Sequence, residues 1–216
     1  MALPSIQEMR LHIASSAARR YNGAPHHLPD ANTMAAPKLD PQLLAVLTFL
    51  RKHPAVRQRI PAAVDKTVVY SGGMAGSDGM HAAWRLLAQA KAQDPQRFDY
   101  VTLEERLRQF HVVEFGESLF DHANRVAAAL KQRALDDQAM ILWRALSGIY
   151  VQGARGKVRA LVLPGAHIAR SIFNLTEVSV LLRPDVLRQI EIDPSLLRDF
   201  RLMVKVGNQP APIVVM

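Results

Sequence analysis

The stretch that most narrows the fold is VVYSGGMAGSDG, Val68 to Gly79. A β-branched run ends in tyrosine and breaks into glycine, serine and aspartate. That is the pattern of a strand feeding a turn that opens a helix, the basic unit of a mixed α/β domain. Backbone N–H groups at such a turn can receive an anion. However, the spacing is neither G-x-x-x-x-G-K-[ST] nor G-x-G-x-x-G, so no nucleotide fingerprint accompanies it. By itself the stretch reads as a turn and a capped helix, with Ser77 and Asp78 as N-caps for a helix through Trp84 to about Ala92.

Elsewhere, helical spacing dominates the first two-thirds. Residues 4–20 read as a helix with Ile6, Met9 and Ile13 on one side, followed by a proline-dotted segment from Tyr21 to Pro41. Helices are expected near 41–52, 55–63, 117–133 and 136–152, and Tyr100–Leu107 reads as extended or mixed. The last third carries short strands: Lys157–Leu163 (KVRALVL), which stops at Pro164-Gly165, then Val186–Ile192, and one or two more in the tail beyond a short helix at Asp193-Pro194. Ser171–Leu182 is ambiguous, because its β-branched content argues strand. The expected fold is therefore α/β (α+β), with a helical subdomain beside a small, mainly parallel sheet. Two units are expected: an N-terminal helix and linker over 1–40, and a globular domain over 41–216.

Composition excludes several chemistries. The 216 residues include no cysteine, which removes disulfides, thiolate catalysis and zinc–cysteine sites. No apolar run approaches membrane-spanning length, and the first twenty residues lack the order of a signal peptide. The net charge is +8, but the Lys and Arg residues are scattered and aromatics make up 6%, so nucleic acid is not the expected partner. His111 and Glu114 form an H-x-x-E pair with no third ligand, so no metal is expected.

Three further stretches hold candidate chemistry. ILWRALSGIY places Trp143 and Ser147 at i and i+4, on one helix face. TLE holds Glu104, and SIFNLTEV sets Glu177 among Ile172, Phe173, Leu175 and Val178. A carboxylate in apolar company is costly to bury unless its charge is used or it points to solvent. Glu177 is the residue the pattern singles out most sharply.

In order, these pieces are Tyr-Ser after a strand, TLE, W-x-x-x-S, a strand, and S-x-F-x-x-x-E. That order resembles the ADP-ribosyl cyclase / NAD glycohydrolase family, including its cysteine-free bacterial toxin domains, over roughly residues 66–192. The resemblance implies that NAD+ is the substrate, with no further cofactor, and that Ser171–Leu182 is a short helix. It assigns Glu177 to the ribose and the developing charge, and Ser147 to the anomeric carbon. Glu104 is assigned to the carboxamide of nicotinamide. Trp143 and Tyr70 become aromatic walls, with Ser71, Phe173 and Ile172 as further pocket residues. Gly72 stands where the family has an arginine, and Arg106 and Gln109 where it has threonine and glycine. An NAD-depleting effector delivered to a target cell, with a cognate inhibitor protein, is the biological expectation. The alternatives are a basic toxin acting on nucleic acid and a non-catalytic interaction module.

Overall fold

In the computed structural model, which describes residues 38–71, 85, 87–96, 98–162, 171–191 and 213–214, two β-branched strands lie side by side. Strand β1 (Thr67–Ser71) pairs in parallel with β4 (Gly156–Val162), in a register running from Thr67 opposite Val158 to Ser71 opposite Val162. The other edge of β4 takes β5 (Ile190–Glu191), parallel, at its start and β6 (Ile213–Val214), antiparallel, at its end. The mixed architecture expected from sequence, helices beside a small and mainly parallel sheet, is what forms.

Two helices precede β1, and most of the others run between β1 and β4. The first helices are α1 (Pro41–Lys52) and α2 (Pro54–Arg59), and Pro61 follows close behind α2. Residues 87–93 are helical, consistent with the helix expected there, whereas its Ser77 and Asp78 caps lie outside the described residues. Next come α3 (Leu103–Arg108), a hairpin of β2 (His111–Val112) and β3 (Glu117–Ser118), α4 (Leu119–Gln132) and α5 (Asp136–Gln152). After β4 come a π-helix, π1 (Phe173–Val178), α6 (Ser179–Leu181) and α7 (Pro184–Leu187).

The main core is centred on α5. Its Leu142, Leu146 and Tyr150 are fully buried in one cluster with Leu43 and Leu50 of α1 and Leu119 and Leu130 of α4. Leu39 and Asp40, assigned from sequence to the N-terminal segment, are buried with this body. Asp40 caps α1 by accepting from the Gln42 N–H at 2.9 Å, and its carboxylate also receives Arg133, the residue that ends α4, at 2.5 Å. These bonds hold its carboxyl below the usual range even though burial opposes them. Gly156 starts β4 at φ +65°, and a Cβ there would stand 2.1 Å from Asp65 Oδ1, the oxygen that receives the Lys157 N–H.

Two local expectations change, and one ambiguous stretch resolves. Tyr100–Leu107 is helical from Leu103, because Thr102 and Glu105 form a reciprocal capping box. The ambiguous stretch Ser171–Leu182 is helical over residues 172–181, the short-helix reading rather than the strand, and the β-branched residues Thr176, Val178 and Val180 follow the packing against α5. Of the described residues in Val186–Ile192, only Ile190–Glu191 are strand, because Pro184 at the first turn starts a helix. Among the described residues, no helix is long and apolar enough to cross a membrane.

Candidate active site

Glu177 sits near the end of π1, and π-turns of this kind are rare and concentrate at functional sites. The turn packs against α5, where Ser147 is 1% exposed. The Ser147 hydroxyl donates a short hydrogen bond to Glu177 Oε1. The other oxygen, Oε2, is buried and has no hydrogen-bond partner among the described residues. Glu177 is therefore a buried carboxyl with half of its bonding capacity unused.

Glu104 repeats this arrangement. The Tyr70 hydroxyl, at the carboxyl end of β1, donates to Glu104 Oε1 at 2.5 Å, and Glu104 Oε2 is buried without a partner among the described residues. The neighbouring Glu105 is fully engaged. Its Oε2 accepts from the Thr102 N–H at 2.7 Å, and Lys91 bonds both of its oxygens. The capping box thus consumes Glu105 and leaves Glu104 to face inward.

The Glu104 charge bears on Glu177. Burial pushes Glu177 up to about 8; the Ser147 hydrogen bond pulls the other way, and the Glu104 charge adds to the rise. Burial also holds the Tyr70 hydroxyl well above its ordinary range, and the Glu104 charge, the Glu104 hydrogen bond and the Glu177 charge reinforce this. Tyr150, one turn after Ser147, donates to Val101 O at 2.5 Å and accepts from the Val68 N–H at 3.1 Å, tying β1 to the approach of α3. Burial, together with the Glu177 and Glu104 charges, keeps that hydroxyl protonated as well. Among the described residues, the charges that bear on Glu177 and Tyr70 are negative, those of Glu104 and Glu177. The position, at the carboxyl end of a parallel strand, is where open α/β sheets bind ligands.

The remaining predicted residues surround this pair at different depths. Trp143 lies one turn before Ser147 on α5, half-buried, with its ring 6.1 Å from Phe120. Phe173 is a core residue, 1% exposed, at the start of π1, and half-buried Ile172 precedes it. Ser71 closes β1, while Gly72 and the glycines after it lie outside the described residues. His111 is exposed on β2, Glu114 faces His53 at 3.5 Å, and no metal-binding cluster occurs among the described residues.

Sequence reasoning missed two members of the site. One is the Tyr70 hydroxyl, read only as part of an aromatic wall. The other is Arg144, whose Nε donates to Thr176 Oγ1 at 2.9 Å. An arginine inside the otherwise apolar run ILWRAL was the available signal. Comparison of the chain with protein-family models, with curated proteins and with solved structures finds no match.

Proposed function

We propose that this protein is an NAD+ nucleosidase on an ADP-ribosyl cyclase-like fold, hydrolysing the bond between nicotinamide and ribose. One observation carries the reading. Residues distant in sequence, Tyr70 with Glu104 and Ser147 with Glu177, meet in two hydroxyl–carboxyl pairs, each leaving one bare buried oxygen. A site with two buried carboxyl groups of this kind suits a ligand that brings both positive charge and hydrogen-bond donors. A pyridinium riboside with a carboxamide has all of these.

In this scheme the Glu177 carboxyl faces the ribose hydroxyls and stabilises positive charge as the C1′–N bond breaks and its electron pair leaves with nicotinamide. The cationic ring also favours the ionised form of Glu177, offsetting the burial that keeps it protonated in the free protein. Ser147 holds Glu177 in place beside the anomeric carbon. Glu104 accepts from the carboxamide N–H, and Trp143 with the Tyr70 ring flanks the heterocycle. Water then captures the ribosyl cation and releases a proton, giving ADP-ribose and nicotinamide. Depletion of NAD+ by such hydrolysis fits an effector restrained in its producer by an inhibitor protein. The test is to incubate the purified protein with NAD+ and measure free nicotinamide. Release is expected, and its loss in Glu177→Gln; no release by the wild type overturns the reading.

A further inference from the structure

We propose that Arg144 is a positioning residue for Glu177, pinning the π-helical turn that carries the carboxyl to the helix that carries Ser147. This rests on the reading of Glu177 as the group at the reacting carbon. Arg144 stands three residues before Ser147 on α5 and reaches across to π1. Its Nε donates to Thr176 Oγ1 at 2.9 Å, and its Nη2 makes a longer contact, 3.5 Å, with Leu175 O. These are the two residues immediately before Glu177.

The physical case has three parts. First, Arg144 is half-buried and meets no carboxylate among the described residues. Burial without a counter-charge disfavours its cation and draws its pKa down. An uncompensated cation of this kind destabilises the fold unless its donors are used. Second, a π-turn is an uncommon spacing that needs support from outside the helix. The guanidinium fork supplies it from α5, with Thr176 itself buried. If the turn relaxed to ordinary helical spacing, Glu177 would swing away from Ser147. Third, among the described residues the groups that bear on Glu177 are Ser147 and Tyr150 from α5, Tyr70 from β1 and Glu104 from α3. Arg144 bonds Thr176 and Leu175 rather than the Glu177 carboxyl, so the action assigned to it is mechanical. Gly148, beside Ser147, completes the seam: a Cβ there would stand 3.5 Å from the Thr176 methyl carbon.

The experiment compares wild type, Arg144→Met, Arg144→Lys and Thr176→Val in the full chain. Two quantities are read: the Glu177 carboxyl titration by carbon-13 NMR without substrate, and the steady-state constants for NAD+ cleavage. Burial is the leading cause of the raised Glu177 midpoint, so a loosened, wetter turn lowers it. Arg144→Met and Thr176→Val are expected to bring the midpoint down by about one pH unit or more. They are also expected to lower kcat about 10- to 100-fold with KM little changed. Arg144→Lys, which keeps a donor but loses the planar fork, restores part of both. A folded Arg144→Met or Thr176→Val protein whose Glu177 midpoint is unchanged or raised overturns the proposal. If the wild type does not cleave NAD+, the functional reading fails, yet the titration still decides the role of Arg144.

Discussion

Replacing Glu177 by glutamine should stabilise the protein at neutral pH while removing its proposed activity. The carboxyl is buried, and its midpoint rises from 4.5 to about 8 on folding. Below pH 4.5 both the folded and the unfolded chain hold the proton, and Glu177 imposes no penalty. Between 4.5 and about 8 the folded chain holds a proton that the unfolded chain has released. Stability therefore falls as pH rises through this window, by ~1.4 kcal/mol per pH unit. Above about 8 both states are ionised and the penalty levels off. At pH 7, about 2.5 units above the unfolded midpoint, it amounts to on the order of 3 kcal/mol.

Glutamine mimics the protonated acid. It keeps an oxygen for the Ser147 hydroxyl and carries no charge to desolvate. Urea denaturation of both proteins from pH 4 to 9 should show nearly equal stability at the acid end and a gap that widens towards pH 8. In a thermal melt at pH 7, the gap corresponds to roughly 6–12 °C for a chain of this size. Other titrating groups are shared by both proteins and cancel in the difference. A gap that stays flat with pH, or a glutamine variant less stable than wild type at pH 7, would refute the view that Glu177 is a buried acid held against its own solvation.

Four further outcomes are expected. If the ionised carboxyl acts on bound NAD+, kcat/KM for nicotinamide release should climb with pH and level off near 8, where free Glu177 titrates; a pH–rate profile checks this. Ser147→Ala removes the one bond that opposes the rise, so the Glu177 midpoint should move higher still, read by carbon-13 NMR. Tyr70→Phe keeps the ring but leaves both Glu104 oxygens bare; a buried unmet acceptor costs ~1–3 kcal/mol, which should appear as a lower melting temperature at pH 7 and slower nicotinamide release. Gly156→Ala meets both a positive φ and the Asp65 carboxylate 2.1 Å from the new methyl, so a loss on the order of 1–3 kcal/mol is expected by urea denaturation.

Much of the scaffold is legible because its signals are local. α5 and β4 follow from apolar spacing and alternation within a single window, and the structure realises them at Asp136–Gln152 and Gly156–Val162. The stretch around Glu177 is less transparent. Its β-branched residues favour a strand, but Phe173, Val178 and Leu181 all face the core when the segment winds as a helix. No local pattern announces a π-turn, since what holds it is Arg144, thirty-two residues before Thr176. The Tyr70–Glu104 bond spans thirty-four residues and is hidden for the same reason.

The TLEE segment shows how a local rule can nevertheless single out a site residue. Thr102 and Glu105 stand at capping-box spacing, and each satisfies the other's backbone N–H. A glutamate used in this way is committed to starting a helix, and the Lys91 ammonium commits it further. Glu104 has no part in that exchange. One position along a helix turns a side chain by about 100°, so Glu104 leaves the capped surface and meets the Tyr70 hydroxyl instead. Two adjacent glutamates with the same local composition are thereby divided between helix capping and the candidate site. The division follows from counting which backbone donors need an acceptor, and only the identity of the partner at Tyr70 requires the fold.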